Sequence, residues 1–176
     1  MTTHYYTATS LDGFIASKDH SLDWLFRQEF DPDGPMGYPG FIKNIGALVL
    51  GASTYEWVRQ QQDEWVYEEP TWIFSHRDLP TPEGKDVRVV QGEISEVFPQ
   101  IEASAGDKDI WVMGGGDLAG QFADAQLLDE VWVQYAPVTL GTGAPLLPRQ
   151  LQLDLVDTVQ NRSFVCARYQ VNYTAV

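Results

Sequence analysis

The sequence holds one cysteine, Cys166, which excludes a disulfide within the chain. That cysteine lies in an apolar run, where a thiol is a buried packing group and not a nucleophile. No apolar run approaches the ~18 residues that a membrane-spanning helix needs. Basic residues are scarce: 11 Lys and Arg stand against 25 Asp and Glu, a formal net charge of −14. Nucleic acid is thereby excluded as a partner, because neutralising a phosphate backbone takes clustered Lys and Arg. Any phosphate site must be made locally, from backbone N–H groups and a few arginines. The histidines, His4, His20 and His76, are too scattered to suggest a metal site. No basic-then-apolar leader opens the chain, and the expected localisation is cytoplasmic.

What remains is ordinary globular material, 44% hydrophobic and 20% charged. Its length fits one domain over residues 1–176, large enough for a real core. The stretch that organises the chain is Ile110–Phe122. Ile110 to Met113 is an apolar run of strand length, and Gly114, Gly115 and Gly116 follow directly. Asp117 then opens a segment with Leu118, Phe122, Ala125 and Leu128 near one helical face. Strand, glycine turn and helix start form a site for an anion, since the first N–H groups of a helix lack intrahelical partners. The same pattern also serves as a plain tight turn with Asp117 as N-cap. The spacing departs from the dinucleotide fingerprint Gly-x-Gly-x-x-Gly, because Ala119 stands at the third glycine.

The rest of the chain repeats this grammar. His4–Thr9 reads as a first strand, followed by an Asp12–Gly13 turn and a brief apolar return at Phe14–Ala16. Leu22, Leu25, Phe26 and Phe30 have helical spacing, which predicts a helix over 22–30. Residues 32–40 form a Pro- and Gly-rich loop, and Phe41–Ile45 a short helix. Ala47–Leu50 is a second strand, ending at Gly51 before a helix that starts near Ser53 and Thr54. Further strands are expected at Thr71–Phe74, Val87–Val90 and Val131–Pro137. A helix over Ile94–Ala103 should be kinked or shortened by Pro99. Leu151–Gln160 and Phe164–Tyr173 form an antiparallel hairpin through Asn161-Arg162-Ser163. Alternating strands and helices predict an α/β fold with a mostly parallel sheet closed by an antiparallel edge. Three polar or glycine junctions, Gly51–Thr54, Ser75–Arg77 and Gly114–Gly116, then lie along one sheet edge, where ligands of such sheets bind.

Four motifs in order carry a family resemblance: Ser10–Ala16, Gly51–Glu56, Val112–Gly116, and Leu128–Val131 running on to Pro137–Gly143. The chain resembles the dihydrofolate reductase-like superfamily, closest to the C-terminal reductase domain of bacterial riboflavin biosynthesis. The resemblance spans nearly the whole chain. It implies a central sheet of about eight strands with helices on both faces, NADPH bound across the strand ends, and a homodimer. Carried over by position, Ala8 and Ile15 would contact the nicotinamide. Gly51, Ser53 and Thr54 would approach the phosphates. Ser75, His76 and Arg77 would meet the 2′-phosphate, and Gly114, Gly115, Gly116, Asp117 and Leu118 the pyrophosphate. Many members of this family have arginine where Ala52 stands here, which leaves NADH as a possible cofactor.

For the proton source, counting from Trp24 places Glu29 at the catalytic carboxylate, with Asp31 beside it and Asp12 bordering the site. An Asp-Gly turn and an acidic surface also account for these carboxylates without catalysis. Trp24, Trp57, Trp65 and Tyr38 are candidate walls for a planar substrate. The implied activity is hydride transfer from NADPH to a small planar heterocyclic or conjugated substrate. The alternatives are reduction of 5-amino-6-(5-phosphoribosylamino)uracil in the riboflavin pathway, and a non-catalytic small-molecule-binding protein. No deaminase zinc motif precedes the domain, and no second basic cluster offers a substrate phosphate site.

Overall fold

The computed structural model describes residues 1–174. Eight strands form one sheet in the order β5-β4-β3-β6-β1-β7-β10-β9. They are β1 (Thr3–Ser10), β3 (Ile45–Gly51), β4 (Thr71–Phe74), β5 (Val87–Val90), β6 (Asp109–Gly114), β7 (Glu130–Ala136), β9 (Gln152–Asn161) and β10 (Phe164–Asn172). All neighbours pair in parallel except β10, which is antiparallel to both β7 and β9. A small second sheet pairs β2 (Phe14–Ala16) with β8 (Ala144–Pro145). The fold is thus the α/β arrangement expected, with a C-terminal antiparallel hairpin.

Alternation along the strands builds two cores. Tyr5, Val49, Trp72 and Val112 face one layer, into which α4 (Ile94–Ala105) and α5 (Gly116–Asp124) bury Ile94, Ile101, Leu118 and Phe122. Tyr6, Leu48, Leu50 and Ile73 face the other, covered by α2 (Tyr38–Ile42) and α3 (Ala52–Gln61) through Phe41, Tyr55 and Val58. This is the side-chain period of two that a sheet imposes.

Three elements differ from expectation. Helix α1 covers only Asp23–Phe26, not residues 22–30. The chain leaves it because the backbone beyond is bonded to the β9–β10 hairpin: Ser163 N–H donates to Glu29 O at 3.1 Å, and Asp31 N–H donates to Asn161 Oδ1 at 3.0 Å. Helix α2 starts at Tyr38, inside the expected loop, with Pro39 in its first turn, where the missing N–H costs nothing. Helix α4 runs through Pro99 to Ala105 without shortening. Ile94, Val97, Ile101 and Ala105 are all buried along it, and that burial outweighs the ~3 kcal/mol penalty of an interior proline. Cys166 is fully buried, and desolvation pushes its thiol up to about 11, consistent with a packing role.

Candidate functional site

The C-terminal ends of the parallel strands bring Gly51 and Gly114 face to face. Both strands end in glycine, and the register of β3 against β6 shifts between Val49 and Leu50 so that Leu50 lies opposite Gly114. A Cβ placed on Gly51 would sit 3.7 Å from Gly114 O and 3.8 Å from Gly115 N. A Cβ on Gly114 would lie 3.8 Å from Thr54 Oγ1, and one on Gly115 3.9 Å from Ile15 Cδ1. Gly114 adopts φ +131°, a region closed to side-chain-bearing residues. The Gly114–Gly115 peptide is cis. Ile15, Gly51, Thr54, Gly114, Gly115 and Leu118, six residues expected at a nucleotide, thus converge on one place.

Helix α3 starts from Gly51 and α5 from Gly115, and neither N-cap makes a side-chain hydrogen bond. Their first N–H groups therefore have no side-chain acceptor and carry the positive end of each helix dipole. Asp117 is not the N-cap that the plain-turn reading proposed. It lies inside the first turn, accepts from Gln121 Nε2 at 3.0 Å and pairs with Arg149 Nη2 at 3.1 Å. The Gln121 side chain foremost, then Arg149, holds its carboxyl below the usual range.

Gly116 has a different duty from its neighbours. A Cβ there would collide with the carbonyl oxygens of Pro145 and Leu146, so the third glycine admits the β8 loop rather than opening a cradle.

Strand β4, between β3 and the edge strand β5, delivers the third junction. Buried Ser75 accepts from Arg77 N–H at 3.0 Å and donates to Arg77 O at 2.9 Å, which fixes a tight turn. His76 and Arg77 are exposed beside it. Arg77 Nη2 pairs with Glu56 Oε2 of α3 at 3.0 Å. Ser53 is exposed and Ala52 half-buried at the same helix start, while Ala8 is half-buried in β1.

The acidic candidates separate. Asp12 is a loop clamp: its carboxylate accepts from Ser10 Oγ at 2.6 Å, Leu140 N–H at 3.0 Å and Gly141 N–H at 2.7 Å. These bonds, the Ser10 hydroxyl first, keep its carboxyl below the usual range. Asp31 caps its own turn, with Oδ1 accepting from Asp33 N–H at 3.1 Å. Glu29 is exposed in the loop beyond α1, not on a helix as its helical spacing implied. Of the four aromatic candidates, Trp24 and Trp65 are core, 9% and 5% exposed. Trp57 and Tyr38 are half-buried. Phe26 was counted only as part of a helical apolar face, yet it is 67% exposed and stacks on Trp57. No signal in the sequence sets it apart, because its helical spacing is that of Leu22, Leu25 and Phe30.

A second cleft of about 750 Å³ opens at the opposite, N-terminal ends of the strands. Its polar floor is largely self-satisfied. His4 Nε2 lies 3.2 Å from Asp109 Oδ2, and Nδ1 lies 3.3 Å from Glu130 Oε2 but off the hydrogen-bond axis. Among the described residues no group of His, Cys, Asp and Glu could hold a metal ion. No helix of the described chain is long and apolar enough to cross a membrane.

Comparison with known proteins agrees with this architecture. The model of the RibD C-terminal domain matches residues 52–167. The uncharacterized protein YwjB of Bacillus subtilis (strain 168) is 32% identical over 161 residues, covering 90% of this chain and 91% of that protein. A crystal structure from Shewanella sp. PV-4, named for riboflavin biosynthesis, superposes with a TM-score of 0.84 at 27% identity, covering 98% of this chain and 99% of that one. Dihydrofolate reductase from Enterococcus faecalis, complexed with NADP(H) and RAB-propyl, shares the fold at a TM-score of 0.63 and 17% identity, with 97% and 96% covered. The chain belongs to the RibD C-terminal domain family and has the dihydrofolate reductase-like fold.

Proposed function

We propose that this chain is an NADPH-dependent reductase that transfers hydride to a small planar heterocyclic or conjugated substrate. The observation that carries the reading is the closure of Gly51 and Thr54 against Gly114 and Gly115 with Ile15 alongside, in a RibD C-terminal domain. The residues fit the nucleotide: a gap kept free of Cβ atoms, flanked by two helix starts without side-chain caps, suits a pyrophosphate. Ser53 and Thr54 hold it from α3, and Gly114, Gly115, Asp117 and Leu118 line it from the β6–α5 turn, which Gly116 lets pack against the β8 loop. Ala8 and Ile15 wall the nicotinamide, which supplies the hydride when bound. Ser75 shapes the turn that presents His76 and Arg77 to the 2′-phosphate.

Arg77 has to be shared with Glu56, and Ala52 adds no charge, so the preference over NADH is modest. Asp12 stays ionised and positions the 138–143 loop. Proton supply then falls to exposed Glu29, with Asp31 as the neighbour that fixes its loop.

Two other readings have an observation each. The family and the name of the Shewanella structure favour 5-amino-6-(5-phosphoribosylamino)uracil as substrate. The Arg77–Glu56 pair and Ala52 favour a binding protein without turnover. Exposed Leu155 and Val156 on edge strand β9 and Val165 on β10 support a homodimer through the C-terminal elements. Sizing at low concentration that gives only a 19.8 kDa species would refute the dimer.

Fluorescence titration with NADPH and NADH tests the main reading. NADPH is expected to bind more tightly, and Arg77→Ala to erase the difference. Failure of both nucleotides to bind at millimolar concentration would overturn it.

A further inference from the structure

A carboxylate stands where an anion is expected. Asp117 is the second residue of α5, whose N-cap Gly115 offers no side-chain acceptor to the first N–H groups. A negative side chain in a first turn draws on the same positive potential that attracts a phosphate. Both oxygens of Asp117 are nevertheless taken. Oδ2 accepts from Gln121 Nε2 at 3.0 Å, and Oδ1 accepts from Arg149 Nη2 at 3.1 Å. Gln121 foremost and then Arg149 keep that carboxyl below the usual range, so it is charged at neutral pH. Arg149 comes from the loop after β8. It also donates from Nε to Asp124 Oδ2 at 2.7 Å and from Nη1 to Pro148 O at 2.9 Å. One guanidinium thus spans both acidic residues of α5.

The helix is shaped to receive this side chain. Gly120 is buried in the middle of α5, where glycine is a poor helix former. A Cβ there would lie 2.9 Å from Arg149 Cγ, 3.0 Å from Cζ and 3.1 Å from Nε. Gly116, four residues earlier on the same face, admits Pro145 O and Leu146 O of the same loop. The loop therefore lies along one glycine face of α5, and Arg149 runs across Gly120 to reach Asp117.

We infer that Arg149 is a positioning residue for the nucleotide: it neutralises Asp117 and so keeps the start of α5 open to a pyrophosphate. The inference rests on the reductase reading and adds to that same site a residue that acts through Asp117. An unpaired carboxylate at this turn would repel the phosphates. Paired, it leaves the potential of the helix start to the ligand. Arginine suits the task because its planar fork serves Asp117 and Asp124 at once. Asp124 lies seven residues further on, about 10 Å along the axis, so its own charge is largely screened at the helix start.

The experiment is calorimetric titration of NADPH, at low and high salt, into the wild type and variants shown by circular dichroism to be folded. Arg149→Gln is expected to weaken NADPH about fivefold at low salt, the repulsion of one uncompensated surface charge, and by less at high salt. Adding Asp117→Asn to Arg149→Gln is expected to restore the affinity to within about twofold of the wild type, because no charge is left to neutralise. Asp124→Asn, which removes the other partner of Arg149, is expected to bind as the wild type does. Gly120→Ala displaces Arg149 without deleting it and is expected to weaken NADPH only while Asp117 is present. Equal NADPH affinity in the wild type, Arg149→Gln and Gly120→Ala would overturn the inference while leaving the reductase reading intact. So would a loss in Arg149→Gln that Asp117→Asn does not restore, since that loss belongs to loop structure or to a direct contact. Failure of the wild type to bind NADPH removes the reductase reading first, and this inference with it.

Discussion

At the N-terminal ends of the parallel strands, carboxylates take up the backbone. Asp109 accepts from Thr2 N–H and Asp129 from Thr3 N–H, both at 2.7 Å, and His4 lies between Asp109 and Glu130. At the C-terminal ends, β3 and β6 finish in glycine, and α3 and α5 begin without side-chain caps. The first edge satisfies its backbone N–H groups with its own carboxylates. The second leaves its helix-start N–H groups without a side-chain acceptor. In a chain of net charge −14, the second edge is the one that offers an anion backbone donors without a basic cluster.

Glycines sharpen the contrast most. Gly116→Ala should destabilise the protein by about 3 kcal/mol, because the added methyl meets two carbonyl oxygens of the β8 loop. Gly51→Ala, whose methyl meets only ordinary contacts, should leave stability within about 1 kcal/mol yet obstruct the nucleotide. Urea denaturation of both variants separates the two roles. At the opposite edge, Asp109→Ala strands Thr2 N–H and His4 and should cost about 1–3 kcal/mol, with NADPH affinity unchanged. Weakened NADPH binding in that variant would show that the two edges are coupled.

Asp12 gives a smaller, pH-dependent effect. Its folded carboxyl is depressed, chiefly by the Ser10 hydroxyl and then by the Leu140 and Gly141 N–H groups. Its stabilisation is therefore complete above the ordinary carboxylate range and is lost as pH falls through the depressed folded value. Thermal melts should converge for the wild type and Asp12→Asn in acid and diverge toward neutral pH. Parallel melting curves across the range would contradict the clamp. The smallest effect is at Glu56: Glu56→Gln frees Arg77 and should tighten NADPH about twofold without altering NADH, as expected for an exposed ion pair.

The sheet and its glycine junctions were legible because their signals are local. Apolar runs of strand length ending in Gly51 or Gly114 specify both the strand and its exit. The extent of α1 was not legible, because what stops it is the Asn161–Ser163 hairpin tip, some 130 residues away in sequence. The same long-range bonding moved Glu29 from a helix to a loop. Gly116 read as a third cradle glycine because its reason, the approach of Pro145 and Leu146, is tertiary. Asp117 looked like a cap by residue type, but the helix begins before it and its carboxylate goes to Arg149. Phe26 could be placed on a helical stripe, yet only the fold shows that it faces Trp57 instead of the core.

The central claim is that the gap between Gly51 and Gly114 holds a nicotinamide nucleotide. Calorimetric titration of NADPH into the wild type and into folded Gly51→Ala tests it most directly. The account predicts measurable binding by the wild type and about tenfold weaker binding by Gly51→Ala, a difference of ~1.4 kcal/mol. Identical affinities in the two proteins, or no binding by the wild type, would contradict it.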